Sequence, residues 1–258
     1  MKSVSKATPM KQKKIKELFK QHLIICNVIQ KKYKNVTYVY LDGTSYKGFY
    51  CDELGKEIMG SPILFLEAVK EIKPLFKIKC FFIEKKPEFL NILRNNIYGR
   101  NLVGTTKMEF ICGEYGDEIP KILDGIEQSF GLIYIDPDGI FNDDELEKIC
   151  DMENTSKIDL IINCNATSIK RTKSVFDAED LKTRQSKIHK KNWFISEPHV
   201  ENDPWGWCFL YGVNSDCFIP SGLYRVNSER GKYLFSKANY TKVEYRSHLP
   251  NQPSLFDF

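Results

Sequence analysis

Four acidic residues stand where predicted strands end, and their chemistry suggests a ligand site. These residues are Asp42, Glu84, Glu114 and Asp136. Carboxylates accept hydrogen bonds from hydroxyl and amino groups, and an acid at the end of a second strand can accept both hydroxyls of a ribose. Each acid alone could be an ordinary turn residue. Together, in matching positions, they predict one cleft along the carboxyl edge of a sheet, where open α/β folds bind ligands.

The turn that contains Asp136 is the most informative of these. It follows a short apolar run, Leu132–Ile135, which is typical of a strand buried on both faces. Pro137 cannot donate to a sheet and restricts the residue before it, and Gly139 permits a sharp turn. Asp136 and Asp138 are therefore predicted to be displayed at the edge of the sheet.

The elements that must position these acids alternate between strand and helix. The predicted strands are Val36–Leu41, Lys79–Ile83, Lys107–Cys112, Leu132–Ile135 and Asp159–Cys164, with helices near residues 63–69, 87–96, 117–128 and 143–152. This alternation implies βαβ crossovers and a mostly parallel sheet that is covered on both faces. Trp205–Val213 and Lys232–Ser236 are predicted to form a C-terminal antiparallel pair in a seven-stranded sheet.

Two further segments frame the first strand. An N-terminal amphipathic helix is predicted over about residues 11–33, and its lysines either lie in water or bind phosphate. After the strand, Thr44–Met59 shows no clear periodicity and is expected to be a functional loop. Ser61 as the N-cap and Pro62 as the first helical residue then predict the start of the next helix.

Length and composition favour a single α/β domain. The chain has 258 residues, 42% of them hydrophobic, and we expect the domain to span residues 1–248 and a flexible tail to span 249–258. No signal peptide or spanning helix is evident, so we expect a cytoplasmic protein without membrane association. The eight cysteines include no CxxC pair, which predicts reduced, mostly buried thiols and no metal site. The net charge of +4 alone does not indicate a nucleic-acid partner.

A basic insertion is predicted at about residues 168–194. Residues 170–191 carry eight basic side chains against three acidic ones. Cations neutralise phosphates and aromatic rings stack on unpaired bases, so the insertion predicts nucleic-acid binding, although a solvated helix is an equally good interpretation. The candidate contact residues are Lys170, Arg171, Lys173, Lys182, Arg184, Lys187, Lys190, Lys191 and Trp193.

The ordered set of motifs resembles the class I S-adenosylmethionine-dependent methyltransferases. More narrowly, it resembles the three-Cys-motif partner proteins, over about residues 11–240. The motifs are Tyr40–Gly43, Gly60–Pro62, Phe82–Glu84, Cys112–Glu114, Ile135–Gly139, Lys191–Pro198 and Trp207–Asn214. This resemblance implies a Rossmann-like class I methyltransferase fold, S-adenosylmethionine as the cofactor and a companion protein as a partner.

The resemblance also implies a reaction and its residues. The implied reaction is methyl transfer to an exocyclic amine of nucleic acid, with DNA favoured, and the implied catalytic residues are Asp136, Pro137 and Asp138. The implied cofactor-binding residues are Asp42, Gly43, Gly48, Ser61, Glu84 and Glu114.

Two departures from the family pattern bear on this chemistry. The family's first loop usually has the form Asp-x-Phe-Ala-Gly-x-Gly, whereas this chain has Tyr46 and Lys47 near its end, which predicts a narrowed or lost cofactor pocket. Asp138 replaces the ring that would stack on a flipped base. A second interpretation is therefore a catalytically inactive methyltransferase-like protein that binds nucleic acid or a partner protein.

Other interpretations rank lower. No GxGxxG follows the first strand, which argues against a nicotinamide-dependent enzyme, and no Pro-Cys pair is present for cytosine C5 chemistry. The tail segment Gln252–Phe256 resembles the peptide by which bacterial DNA-processing proteins dock on the sliding clamp. It predicts the clamp as a partner, although the chain end could equally pack on its own domain.

Overall fold

The protein folds as a sheet with helices on both faces. The computed structural model describes residues 8–30, 36–51, 55–102, 104, 106–126, 129–169, 172, 179–199, 206–216 and 221–239. The strands are β1 (Thr37–Asp42), β2 (Phe49–Cys51), β3 (Glu57–Met59), β4 (Ile78–Glu84), β5 (Lys107–Cys112), β6 (Ser129–Ile135), β7 (Ile158–Asn165), β8 (Asn192–Ser196), β9 (Trp207–Val213) and β10 (Leu223–Arg225). The helices are α1 (Thr8–Gln30), α2 (Ser61–Ile72), α3 (Pro87–Gly99), α4 (Tyr115–Asp124), α5 (Asp143–Asp151), α6 (Leu181–Lys187) and α7 (Glu229–Asn239), with a short 3-10 helix at Glu153–Thr155.

Within the described residues the main sheet has eight strands, in the order β10, β8, β9, β7, β6, β1, β4, β5. The five strands from β7 to β5 are parallel to one another, which confirms the predicted crossovers. In the centre of the sheet, Asp42 of β1 is in register with Phe82 of β4 and Tyr134 of β6. Glu84 and Asp136 each lie two residues beyond those partners, so the acids predicted for this edge come from neighbouring strands.

The antiparallel part of the sheet differs from the prediction. Strands β9, β8 and β10 extend the sheet beyond β7, whereas Lys232–Ser236, predicted to be a strand, lies inside α7. That prediction was wrong because a short apolar stretch does not show whether its apolar residues repeat with the period of a helix or of a strand. Over the whole segment, the buried residues recur at helical spacing: Gly231, Leu234, Phe235 and Ala238.

Two hydrophobic layers hold the helices against the sheet. Helices α1, α2 and α3 cover one face, and α4 to α7 cover the other. On the first face the Phe65 ring stacks on Tyr40 with centroids 3.7 Å apart, and Phe19 of α1 meets both rings edge-on. Helix α1 thus lies against the central strands, as predicted, although it begins at Thr8, before the expected start. Residues 31–33 of the predicted helix lie outside the described residues.

The segment between β1 and α2 is more ordered than predicted. It contains the hairpin of β2 and β3 in place of a loop without secondary structure. Gly60, not Ser61, is the N-cap of α2, and Ser61 is the first helical residue. Each strand of the hairpin has only three residues, too few for an alternating pattern to stand out in the sequence. The Gly60 N–H donates to the Gly48 carbonyl at 2.7 Å, which fixes the entry to α2.

The described cysteines are free, as predicted. Five of them are buried (Cys26, Cys80, Cys150, Cys164 and Cys208) and two are exposed (Cys51 and Cys112). Among the described helices, none is both long and apolar enough to cross a membrane. The tail motif Gln252–Phe256 lies outside the described residues.

Candidate functional site

The candidate site lies at the carboxyl ends of β4, β1 and β6. Because β1 separates the other two strands, and neighbouring strands lie about 4.8 Å apart, the backbones that carry Glu84 and Asp136 are about 10 Å apart. A span of this size fits a small ligand that contacts both carboxylates. The three strand ends differ in what their acids contact.

Asp42 is fully buried and faces the protein instead of a cleft. It accepts hydrogen bonds from the Tyr40 hydroxyl at 3.0 Å, from the Thr44 backbone N–H at 3.2 Å and from the Ser61 side chain. Burial nevertheless raises the pKa of Asp42 to about 7, and the nearby Asp136 contributes to the rise. Asp42 and Ser61 therefore hold β1, its loop and the start of α2 together.

Both glycines of the first loop are required by close packing. A Cβ atom at Gly43 would lie 2.5 Å from the Ile135 side chain and 2.8 Å from that of Tyr115. Gly48 has φ +75°, and a Cβ atom there would lie 2.6 Å from Leu93. These two predicted cofactor-binding residues bring the loop close to β6, α4 and α3.

Tyr46 occupies the first-loop position that is glycine in the Asp-x-Phe-Ala-Gly-x-Gly pattern described above. Its φ of +51° lies in the left-handed region that glycine favours, so the backbone keeps a glycine-like conformation with a tyrosine in place. Its ring stacks on Tyr50 at 5.2 Å and meets Phe89 edge-on at 4.7 Å. The Lys47 ammonium lies 4.4 Å from the centroid of the same Phe89 ring.

Glu84 is fixed by the backbone. One carboxylate oxygen accepts the N–H of Tyr46 at 3.0 Å, and the other accepts the N–H of Lys86 at 3.0 Å. The side chain is half-buried. A carboxylate has about four acceptor positions, so roughly two remain for a ligand.

Asp136 has a different set of partners. Its carboxylate accepts hydrogen bonds from the Asn163 amide at 2.6 Å and the Tyr134 hydroxyl at 3.2 Å, and the ammonium of Lys11 lies 2.8 Å away. Its backbone N–H donates to the Thr44 hydroxyl at 2.8 Å. Helix α1 therefore reaches the site through Lys11, a lysine that was expected to lie in water or bind phosphate.

Two observations near Asp136 concern groups that the sequence did not single out. The Oδ1 atom of Asn163 is buried and, among the described residues, has no hydrogen-bond partner. The pKa of Tyr50 is raised by burial and by the neighbouring carboxylates of Asp136, Asp42 and Asp138, so Tyr50 lies over this end of the sheet. A polar residue in the apolar strand Asp159–Cys164 was a signal for Asn163, whereas nothing local indicated Lys11 or Tyr50.

The remaining predicted residues of this edge are Glu114, Pro137 and Asp138. Glu114 is exposed, and its nearest charged partner is Lys85 at 3.5 Å. Pro137 is half-buried and Asp138 is exposed at the turn after β6. The site thus brings together Glu84 and Asp136 across β1, with Asp42 buried beneath the loop.

Two of the residues predicted to contact nucleic acid are buried in the protein. Lys190 is buried, and its ammonium donates to the carbonyls of Thr155 and Ile158 at 3.0 and 2.8 Å. Trp193 is also buried, and its indole N–H donates to the Ile188 carbonyl at 3.3 Å. Neither side chain is displayed to a ligand in this structure.

The other members of the block differ in exposure. Arg184 and Lys187 both pair with Asp143, and Lys187 also pairs with Glu179. Lys191 pairs with Asp216, and Lys182 is exposed. Lys170, Arg171 and Lys173 lie outside the described residues.

A cleft of about 550 Å³ adjoins the turn after β6. It is lined by Ile140, Phe141, Asn142, Asp143, Asp144, Glu179, Arg184 and Lys187. Its three acidic side chains outnumber its two basic ones, which disfavours a phosphate site there.

Solved structures share this architecture. A Legionella pneumophila protein described under the family DUF519 aligns with 80% of this chain and 87% of its own, at 15% identity and a TM-score of 0.52. An S-adenosylmethionine-dependent methyltransferase from Agrobacterium tumefaciens aligns with 75% of this chain and 61% of its own, at 9% identity and a TM-score of 0.44. A methyltransferase from Geobacter sulfurreducens aligns with 75% and 78%, at 13% identity and a TM-score of 0.39.

The first of these likenesses, together with the strand order, establishes the fold. The chain has a Rossmann-like α/β fold with a mostly parallel sheet and an antiparallel extension, as predicted. No family model matches the chain, and no curated protein matches it either. The narrower resemblance to the three-Cys-motif partner proteins thus stays a prediction.

Proposed function

We propose that this protein is an S-adenosylmethionine-dependent methyltransferase that acts on an exocyclic amine of nucleic acid, with DNA as the favoured substrate. The observation that carries the proposal is the pair of carboxylates, Glu84 and Asp136, at the ends of the two strands that flank β1. In folds of this type the ligand lies across these strand ends.

The Glu84 end fits the ribose of the cofactor. Its carboxylate is held in place by the N–H groups of Tyr46 and Lys86, which leaves acceptor positions for two ribose hydroxyls. The lysines that adjoin it, Lys85 and Lys86, are exposed. When bound, the cofactor supplies a methyl group that its sulfonium has already activated.

The Asp136 end fits an amine. The Lys11 ammonium lies 2.8 Å from its carboxylate, which demonstrates that an amino group can approach it at hydrogen-bond distance. An acceptor amine in that place would donate one N–H to Asp136, and the Asn163 amide, 2.6 Å away, holds that carboxylate in position. This contact would orient the nitrogen, and orientation of this kind supplies most of the catalysis that the reaction needs. The proton that the amine loses on methylation can pass to Asp136.

Calorimetric titration with S-adenosylmethionine tests the cofactor end. Glu84→Ala should weaken binding at least about tenfold, because a buried hydrogen bond to a charged group contributes about 1.5 kcal/mol or more. Glu109→Gln is the matched control, since Glu109 lies on β5 and pairs with Lys79. Equal affinity in the wild type and the Glu84→Ala variant would exclude Glu84 as the ribose acceptor.

A labelled methyl-transfer assay tests the acceptor end. With DNA and RNA offered separately, Asn163→Leu should lower turnover at saturating cofactor while cofactor affinity stays at its wild-type value. A salt titration of nucleic-acid binding, with Lys182→Ala as the variant, tests whether the exposed part of the basic block contacts phosphates. An unchanged salt slope in that variant removes Lys182 from the interface.

A second candidate function is a methyltransferase-like protein that binds a partner without catalysis. It is favoured by the stacked rings of Tyr46 and Tyr50, the second of which has its pKa raised by burial and by the nearby Asp136 carboxylate, and by the Lys11 contact with Asp136. The Lys11 ammonium must leave Asp136 before an acceptor amine can bind there. If neither the wild type nor a Lys11→Ala, Tyr46→Gly double variant binds S-adenosylmethionine, this second function replaces the first.

A further inference from the structure

Three potential metal ligands converge on the surface of α5, away from the candidate site. Glu147 and Asp151 lie one turn apart on the same face of α5, and His189 comes from the segment between α6 and β8. One ligand atom from each side chain lies within 4.8 Å of the others, and the His189 Nδ1 atom is 2.7 Å from Asp151 Oδ1. The side chains of His189 and Asp151 are 63% and 51% exposed, so an ion can reach them.

We propose that Glu147, Asp151 and His189 form a binding site for a divalent transition metal ion, with Zn²⁺ as the preferred ion. Bonds of about 2.1 Å in a tetrahedral site hold the ligand atoms about 3.4 Å apart, so side-chain movements of about 1 Å convert the present arrangement into a coordinated one. One imidazole with two carboxylates leaves a fourth position open to water. Mg²⁺ and Ca²⁺ prefer ligand sets made of oxygen alone, and the imidazole therefore selects against them.

The backbone on both sides of His189 is fixed before any metal binds. On one side the Ile188 carbonyl accepts the indole N–H of Trp193, and on the other the buried Lys190 ammonium donates to the carbonyls of Thr155 and Ile158. The other two ligands stand on a helix. A site whose ligands already stand on fixed backbone loses little conformational freedom on binding.

Such a site would join α5 to the segment that leads into β8. Helix α5 directly follows the turn with Asp136 and Asp138, and β8 belongs to the antiparallel extension of the sheet. Binding to the folded state alone would raise the thermal unfolding temperature in proportion to the logarithm of metal concentration.

Titration of the full-length protein with ZnCl₂ tests the proposal, with calorimetry and thermal unfolding as readouts. We expect binding of one ion per chain, an increase in unfolding temperature, and no such increase with MgCl₂. His189→Ala and Asp151→Ala should each weaken binding by about 100-fold, because each removes a direct ligand. Asp144→Asn, an exposed acid on the same helix, is the matched control and should bind like the wild type.

Cobalt substitution gives a second, independent readout. CoCl₂ bound by nitrogen and oxygen ligands at low coordination number absorbs visible light, and the band should vanish in His189→Ala. Circular dichroism establishes that each variant is folded, which the exposure of His189 and Asp151 favours. Wild-type affinity in His189→Ala, or an absence of Zn²⁺ binding by the wild type, would overturn the proposal and leave a simple His189–Asp151 ion pair.

Discussion

Substitution of Asp42 by Asn should remove a pH dependence of folding stability that originates in one buried carboxyl. Asp42 is fully buried beneath the first loop, and burial raises its pKa from an ordinary 3.8 to about 7. Asparagine has nearly the same shape and can still accept one hydrogen bond while donating another. The variant therefore deletes the titration with little change in packing.

The sign and the size of the effect follow from proton linkage. The folded state holds the Asp42 proton at pH values where the unfolded chain has lost it, so wild-type stability from this group falls as pH rises from about 4 to about 7. The interval between 3.8 and about 7, at about 1.4 kcal/mol for each pH unit, corresponds to about 4 kcal/mol. Well above pH 7 the contribution of Asp42 to stability no longer changes with pH, since its carboxyl is then ionised in both the folded and the unfolded state.

Urea unfolding followed by tryptophan fluorescence, from pH 4.5 to 8.5, measures this effect. The free energy of unfolding of the wild type, minus that of Asp42→Asn, should fall by about 1.4 kcal/mol for each pH unit between about pH 5 and 6.5. Other titrating groups are common to both proteins and cancel in the difference. A difference that stays constant over this range would mean that the three donors to Asp42 outweigh its burial, and the description of a protonated carboxyl under the loop would be refuted.

Three further predictions concern packing, a buried cation and the cover of the site. In urea unfolding, Gly43→Ala should lower the free energy of unfolding by about 1–3 kcal/mol, because the new Cβ atom would overlap the end of β6. Gly139 has open space around it, so Gly139→Ala should change that free energy by less than about 0.5 kcal/mol. Lys190→Met should cost about 2 kcal/mol by the same measurement, since it leaves two buried carbonyls without donors. Lys11→Met should raise methyl transfer to nucleic acid about fivefold, by releasing an ion pair of about 1 kcal/mol from the proposed acceptor position; equal rates would show that the ion pair does not limit access. Exposed Lys121→Met is the control for both lysines and should change neither quantity.

The parallel half of the fold could be predicted because its signals are local. Four of the five strands are largely apolar runs that turn residues or acids end, so the positions of Glu84 and Asp136 followed directly, and β5 alternates charged and apolar residues. In the antiparallel half, β9 carried such a signal and was predicted, whereas β8 and α7 did not. Strand β8 was not expected within a basic block, and α7 revealed its helical period only over its full length.

The geometry of the site could be predicted only in part, because it depends on contacts between distant segments. Lys11 and Asp136 are 125 residues apart in sequence, and Tyr46 and Glu84 are 38 apart. Asp42 was expected to face a ligand, but its side chain points under the loop because Ser61 of α2 and the Thr44 backbone supply donors there. A strand end fixes where an acid stands, whereas its neighbours in space decide which way it faces.

The conformation of Tyr46 connects these observations. A non-glycine residue at φ +51° is strained by about 1 kcal/mol or more, and such strain persists only where other contacts offset it. Here the Tyr46 N–H donates to Glu84 while its ring stacks between Tyr50 and Phe89. The backbone contact is one that glycine could make equally well, whereas the ring contacts need an aromatic side chain. Burial raises the pKa of Tyr50, on which the Tyr46 ring stacks, and Tyr50 is close enough to Asp136 for that carboxylate to raise it further. The contacts that offset the strain at Tyr46 therefore connect the Glu84 end of the site, through the loop backbone, with the Asp136 end, through the stacked rings.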